Sequence, residues 1–242
     1  MLLLLEYNFK TTIMKTRLFL TAYLLFGILL FGQDSYQMPI KTQVITLNPS
    51  QEIKNTAGLN LGIFDDYQTQ KIAGINVQLN PITLIYLLAP KEIEVPKDGA
   101  ETVTINGIHL STGGMIDGKA LNGVGLSMYH IAQETNGITL NGFNNNSGKL
   151  NGLHISGLNN SAEKANGILV AMSNSAGKFN GLQLGIVNDI GNGKGLQVGL
   201  YNRSTKLKGV QIGLINKTKD RKGFQLGFWN KNAKRTLPLI NF

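Results

Sequence analysis

The chain contains no cysteine. That one absence excludes disulfides, thiolate metal sites and cysteine nucleophiles together. Charge is also scarce, at 15% of residues against about a quarter in an average globular chain. Acidic groups are scarcest, 14 against 23 Lys and Arg. Aromatic residues make up 7%, with a single tryptophan. Carboxylates this few leave little for general acid–base work, and no two of them are spaced for it. No serine sits in a nucleophile-elbow pattern. The glycine-rich run 191–195 lacks the strand-to-helix context of a phosphate loop. These exclusions predict a chain that is not an enzyme, with no catalytic residue, no cofactor and no metal.

Glycine, by contrast, is abundant: 29 of 242 residues. Glycine costs backbone entropy inside ordinary helices and strands, so this many must serve turns or close backbone approach.

The N-terminus reads as a targeting segment within residues 1–33, with Met14 as the natural start. Lys15 and Arg17 precede an apolar stretch, 18–31, followed by Gly32-Gln33-Asp34 as a cleavage zone. The stretch is shorter than the roughly 20 apolar residues that span a bilayer. An exported protein of the cell envelope (outer membrane, surface or periplasm) is expected, and lipidation is excluded because no cysteine follows.

Beyond it lies a repeat. Gly107, Gly123, Gly137, Gly152, Gly167, Gly181, Gly195, Gly209 and Gly223 recur every 14 to 16 residues, with earlier copies at Gly58 and Gly74. The clearest copies read GLQLGIVN, GLQVGLYN, GVQIGLIN and GFQLGFWN. Within a copy the period is two: Leu196, Val198 and Leu200 share one face, Gln197 and Gly199 the other, as in a half-buried strand. The apolar face is expected to point inward and the Gln row outward. A further apolar residue before each glycine (Leu150, Ala165, Phe179, Leu207) is expected to point inward from a second, shorter side. No copy buries enough to stand alone, so the copies must stack.

Two architectures satisfy this pattern. One is an all-β solenoid of stacked coils of about 14 residues, about 4.8 Å apart. Gln183, Gln197, Gln211 and Gln225 would then form one ladder, and Asn188, Asn202, Asn216 and Asn230 another at a corner. The other is an antiparallel meander or outer-membrane barrel acting as a pore or anchor. The recurring Asn-Gly pairs, a hairpin signal, and the terminal Phe242 favour it. Runs shorter than the 9–11 residues of a membrane strand speak against it. The expected organisation is an N-terminal cap at 34–57, a repeat domain at 58–236 interrupted at 81–100, and a C-terminal cap at 237–242.

The repeated GLQxGLxN copies, the NGIxLS-type copies before them and the ending WNKNAKRTLPLINF resemble a group of repeat-containing surface proteins of Gram-negative bacteria. The resemblance covers 58–242 and is closest from Gly181 onward. It implies an envelope location, names no biochemical activity, and carries over no site residue.

Candidate functional residues reduce to charge. His109 and His154 fall in the row held elsewhere by Gln and are expected to face solvent. His130 stands apart from them. Asp65, in the pair Asp65-Asp66, replaces a corner Asn and reads as a turn residue. Beyond Gly193, cations outnumber acids heavily, Asp220 being the lone acid. Lys206, Lys208, Lys217, Lys219, Arg221, Lys222, Lys234 and Arg235 are therefore the candidate anion contacts, with Lys194, Arg203 and Lys231 in the same stripe. Anionic envelope lipid, lipopolysaccharide or glycan are the expected partners. The competing reading is a solvated edge whose like charges discourage aggregation. Nucleic acid is not expected, since Tyr201 and Trp229 are too few for a stacking platform.

Overall fold

The computed structural model describes residues 42–47, 55–63, 70–81, 103–113, 119–220 and 223–242. The targeting segment, Asp65 and Asp66, residues 82–100 of the interruption, and Arg221 and Lys222 lie outside them.

The chain is a parallel β-solenoid of about ten coils, and no barrel forms. In order the elements are β1 Thr42–Leu47, β2 Asn55–Ile63, β3 Gln70–Leu79, β4 Val103–Ser111, β5 Lys119–Ser156, β6 Asn159–Val170, β7 Ser173–Thr218, β8 Phe224–Lys231 and β9 Thr236–Asn241. Each pairs with its sequence neighbour, in parallel from β1 through β8. β5 and β7 are long because pairing continues through the corners of several successive coils. Only β9 turns back, antiparallel to β8.

Register is set by the glycines. Gly58 pairs with Gly74, Gly74 with Gly107, Gly107 with Gly123, and Gly152 through Gly167 to Gly181. Gly195 shows why no other residue serves: its φ is 133°, and a Cβ there would run into the carbonyl oxygen of Gly181 one coil below. The glycine makes one corner of the coil. The Asn seven residues later makes the other.

The Asn-Gly pairs that suggested hairpins belong to the glycine corner. Asn122 donates to Asn106 at 2.8 Å, Asn136 to Asn122 at 2.8 Å, and Asn151 to Asn136 at 2.7 Å. These amides run along a parallel stack, an arrangement that antiparallel hairpins would not bring together.

One expectation is reversed. Gln197 is 0% exposed, whereas Leu200 is 53% and Leu214 57% exposed. The Gln row is the inner row, and the apolar row of the same strand faces out. Period-two alternation defines two faces without saying which is inside, and here hydrogen bonding decides. Gln197 Nε2 donates to Gln183 Oε1 at 3.0 Å, Gln211 to Gln197 at 2.7 Å, and Gln225 to Gln211 at 2.7 Å. At the corner the sense is opposite: Asn188 donates to Asn202 at 2.9 Å, Asn202 to Asn216 at 2.8 Å, and Asn216 to Asn230 at 2.7 Å. The second N–H of each Asn reaches a backbone carbonyl of the next coil, as Asn202 does to Ile212 O at 2.8 Å. The two ladders therefore oppose each other in polarity, and each amide spans two coils. A buried amide is costly when unpaired, so the interior of the last four coils is stable because each of them repeats it.

In the last four coils the glycine four residues after the anchor (Gly185, Gly199, Gly213 and Gly227) follows from the same packing. A Cβ on Gly199 would stand 2.6 Å from Asn188 Nδ2 and 3.2 Å from Asn202 Oδ1. The corner amides fold back beneath this position, so no side chain fits there.

Apolar burial comes from the shorter side, as expected. Leu150, Ala165, Phe179 and Leu207 are buried, joined by Ala162, Leu169, Ala176 and Ile190 in one cluster. Ile72, Val103, Ile105 and Leu121 form a second cluster nearer the N-terminus. At the other end β9 closes the ladders: Asn241 Nδ2 donates to Gln225 Oε1 at 3.1 Å and to Asn230 O at 3.2 Å.

Candidate anion-binding groove

The lysines of the shorter side come together because the coils stack in register. Lys149 pairs with Lys164, and Lys164 with Lys178. Each stands three residues before an anchor glycine, as Lys206 does before Gly209. One residue before the anchor, Lys194 and Lys208 replace the corner Asn of earlier coils. Between these columns lies a shallow groove of about 680 Å³, with Lys164, Lys178, Lys194, Lys206 and Lys208 around it and Asp220 as the one carboxylate among its described lining residues. Phe179, Ala165 and Gly193 form part of its lining, and Asn166, Asn180 and Asn192 supply neutral amides. Five ammonium groups around one concave surface repel one another, and an anion placed among them relieves that repulsion.

The stripe expected from charge alone is only partly this site. Lys194, Lys206 and Lys208 line the groove. Lys217 lies elsewhere, its Nζ 5.3 Å from the centre of the Tyr201 ring. Lys219 and Lys234 are exposed and outside the groove. Arg235 is engaged by the C-terminal closure, donating to Asn241 Oδ1 at 3.1 Å and to Phe242 O at 2.8 Å while its guanidinium lies 4.6 Å from the Phe242 ring centre. Arg203 donates from Nε and Nη2 to the two carboxylate oxygens of Asp189, and this contact raises its already high pKa. Lys164 and Lys178 were missed. They precede the C-terminal charge cluster, and the signal that reveals them is the shared offset of three residues before the anchor glycine.

The histidines are also placed differently from expectation. His109 and His154 occupy the inward row, which they share with Gln, and both are fully buried. His109 Nδ1 is 2.8 Å from Asn76 Nδ2, and its Nε2 is 3.2 Å from the ammonium nitrogen of Lys119, itself 1% exposed. His130 sits at the corner seven residues after Gly123, with Nε2 3.0 Å from Thr135 Oγ1 and its ring 6.1 Å from that of His109. Burial, reinforced by Lys119, holds both His109 and His130 well below the usual histidine range. Burial pushes His154 down to about 4, against a backbone hydrogen bond at Asn151 that acts in the opposite direction. All three are core residues. Among the described residues no three of His, Asp and Glu are grouped to hold a metal ion.

Fold and groove together define a parallel β-solenoid with an amide-laddered interior and a lysine-lined groove on one side. Comparison with protein-family models, curated proteins and solved structures found no match to this chain.

Proposed function

We propose that the chain is a non-enzymatic binding solenoid of the bacterial cell envelope, and that its lysine groove holds a polyanion. The phosphates of lipopolysaccharide or of an anionic lipid, and a sulfated or carboxylated glycan, share the required chemistry. The observation that carries the reading is the convergence of Lys164, Lys178, Lys194, Lys206 and Lys208 on one groove, with Asp220 the one acid among its described lining residues. Register supports it. Columns spaced by one coil present cations at intervals of about 4.8 Å, a repeat that an extended polyanion can follow.

The reading is tested by titrating the chain with soluble polyphosphate and with lipopolysaccharide over a range of salt. Binding is expected to weaken steeply as salt rises, because exposed charges are screened within about 8–10 Å at physiological ionic strength. The double substitution Lys178→Glu and Lys206→Glu is expected to lower affinity by about tenfold or more. Affinity indifferent to both salt and charge reversal would sink the proposal.

A further inference from the structure

The longer side of the coil carries an outward apolar face that the groove does not use. Its columns stand one, three, five and six residues after each anchor glycine. In the last coils they hold Ile186, Leu200, Leu214 and Phe228, with Val187, Ile215 and Trp229 beside them, and all are exposed. Phe228 reaches 73%. The face extends toward the N-terminus through Ile138, Leu140, Val124, Leu126, Ile108 and Ile75, also exposed. Contiguous apolar patches beyond a few hundred Å² are uncommon on soluble monomers. This one runs over most of the stack, while the same strand keeps its amides inside.

Charge says what covers it. Along one border stand Lys217 and Lys231, eight residues after their anchors and exposed, in the column where Arg203 is already paired with Asp189. Lys217 lies over the ring of Tyr201, which belongs to the apolar side. Along the other border stand Lys194 and Lys208, also exposed. The acids among the described residues are Glu134, Glu163, Asp189 and Asp220. Glu134 already meets Lys149 and Asp189 meets Arg203. The described residues of a second copy would bring no carboxylate row to these borders, whereas an anionic leaflet supplies counter-charge along both.

We propose that this face docks on an anionic lipid leaflet, its Leu, Ile and aromatic side chains entering the headgroup–acyl boundary and its bordering Lys and Arg meeting the headgroups. The arrangement is that of an interfacial amphipathic element built from a sheet: an apolar face, cationic borders and aromatic residues at the water–lipid boundary. The described strands of this face pair coil to coil, so its backbone groups bond within the sheet when the face is set against hydrocarbon. The inference narrows the proposed envelope function to one of its anionic surfaces; its apolar columns lie outside the groove, which it meets only at Lys194 and Lys208 on their shared edge.

Trp229, the sole tryptophan, lies on this face and reports on it alone. The whole chain is mixed with vesicles of phosphatidylcholine, or of phosphatidylcholine with phosphatidylglycerol, each with and without brominated acyl chains. Trp229 emission is expected to shift to the blue and to be quenched by the brominated chains, more strongly on the anionic vesicles. Leu200→Asp with Leu214→Asp, both at exposed positions, is expected to weaken this partition by about tenfold or more while leaving the β circular dichroism unchanged. A Trp229 that remains open to aqueous iodide on vesicles overturns the inference, even if the chain is vesicle-bound through its N-terminal segment. Shielding of Trp229 that rises with protein concentration in the absence of lipid overturns it in favour of a second copy. The Lys178→Glu, Lys206→Glu variant separates the two proposals. If it still binds soluble polyphosphate, the groove reading fails while quenching by lipid stands.

Discussion

The C-terminal coils and the central coils use the same columns with different chemistry. From Gly181 to Asn230 the inward row is Gln at every coil and the corner is Asn at every coil, each amide bonded to its equivalent above or below. In the central coils the same inward row holds His109, Gly125, Thr139 and His154, and the corner after Gly123 holds His130. There the partners are irregular: Thr139 Oγ1 lies 2.9 Å from His154 Nδ1, and Asn145 Nδ2 donates to Thr139 at 3.0 Å. His130 Nδ1 and His154 Nε2 are buried with no hydrogen-bond partner. Both regions close the same coil. Repetition satisfies a polar interior automatically, whereas a mixed row must satisfy it residue by residue and leaves atoms over.

The comparison breaks most completely where both regions depend on the same device. Gly195→Val places a β-branched residue at φ 133° and drives its Cβ into the carbonyl oxygen of Gly181. A loss of more than about 4 kcal/mol is expected, enough to disrupt the stack on both sides of the substitution. Urea unfolding followed by circular dichroism reads it, and a midpoint close to that of the unaltered chain would show that the glycine corner is not obligatory.

Within the uniform region, Asn202→Leu removes the acceptor for Asn188, the donor to Asn216 and the donor to Ile212 O. Leaving those buried groups unpaired is expected to cost about 3 kcal/mol. Hydrogen exchange at the amides of the neighbouring coils localises the damage, and exchange unchanged from that of the unaltered chain would show that the ladder is dispensable.

Acid separates the two regions. His154 is held neutral with its pKa at about 4, below its ordinary value. The unfolded chain takes up a proton as pH falls below about 6.5 while the folded chain does not, so stability is full above that value and is lost progressively down to about 4. His154 alone accounts for about 3 kcal/mol over that window, and His109 and His130 are lowered in the same direction. The central coils should therefore lose hydrogen-exchange protection between neutral pH and pH about 4, while the Gln and Asn ladders, which do not titrate, hold theirs. Equal loss in both regions would remove the histidines as the cause.

The smallest effect concerns the closing strand. Leu239 is the one described non-glycine residue with positive φ, at 64°, and it is exposed. Asn tolerates that conformation better than Leu, so Leu239→Asn is expected to stabilise the C-terminal closure by about 0.5 kcal/mol, read as a small rise in melting temperature.

Much of this architecture is legible in the residues themselves. A glycine every 14 to 16 positions, the same Asn seven later in the last four coils, and Leu150, Ala165, Phe179 and Leu207 at a fixed offset before the glycine specify stacked coils, a corner and a short inward side. Three of the five groove lysines are legible too, since Lys194, Lys206 and Lys208 stand in the C-terminal run of cations. Lys164 and Lys178 join it only through the register that lays one coil on the next. His109 and His154 look like surface residues while the Gln row is taken for the outer one, and become core residues once that row is inside.

What the order of residues settles, then, is periodicity: a repeat of fixed length implies stacking, and stacking implies ladders of identical side chains. The inward direction is settled by the folded coil. Alternation along a strand is symmetric between its two faces, and transfer free energy alone would turn Leu196, Val198 and Leu200 inward. The glycine corner and the Asn amides folded beneath Gly199 fix the opposite sense, because only that sense lets the buried Gln and Asn of the last four coils bond to their copies while the apolar row faces out.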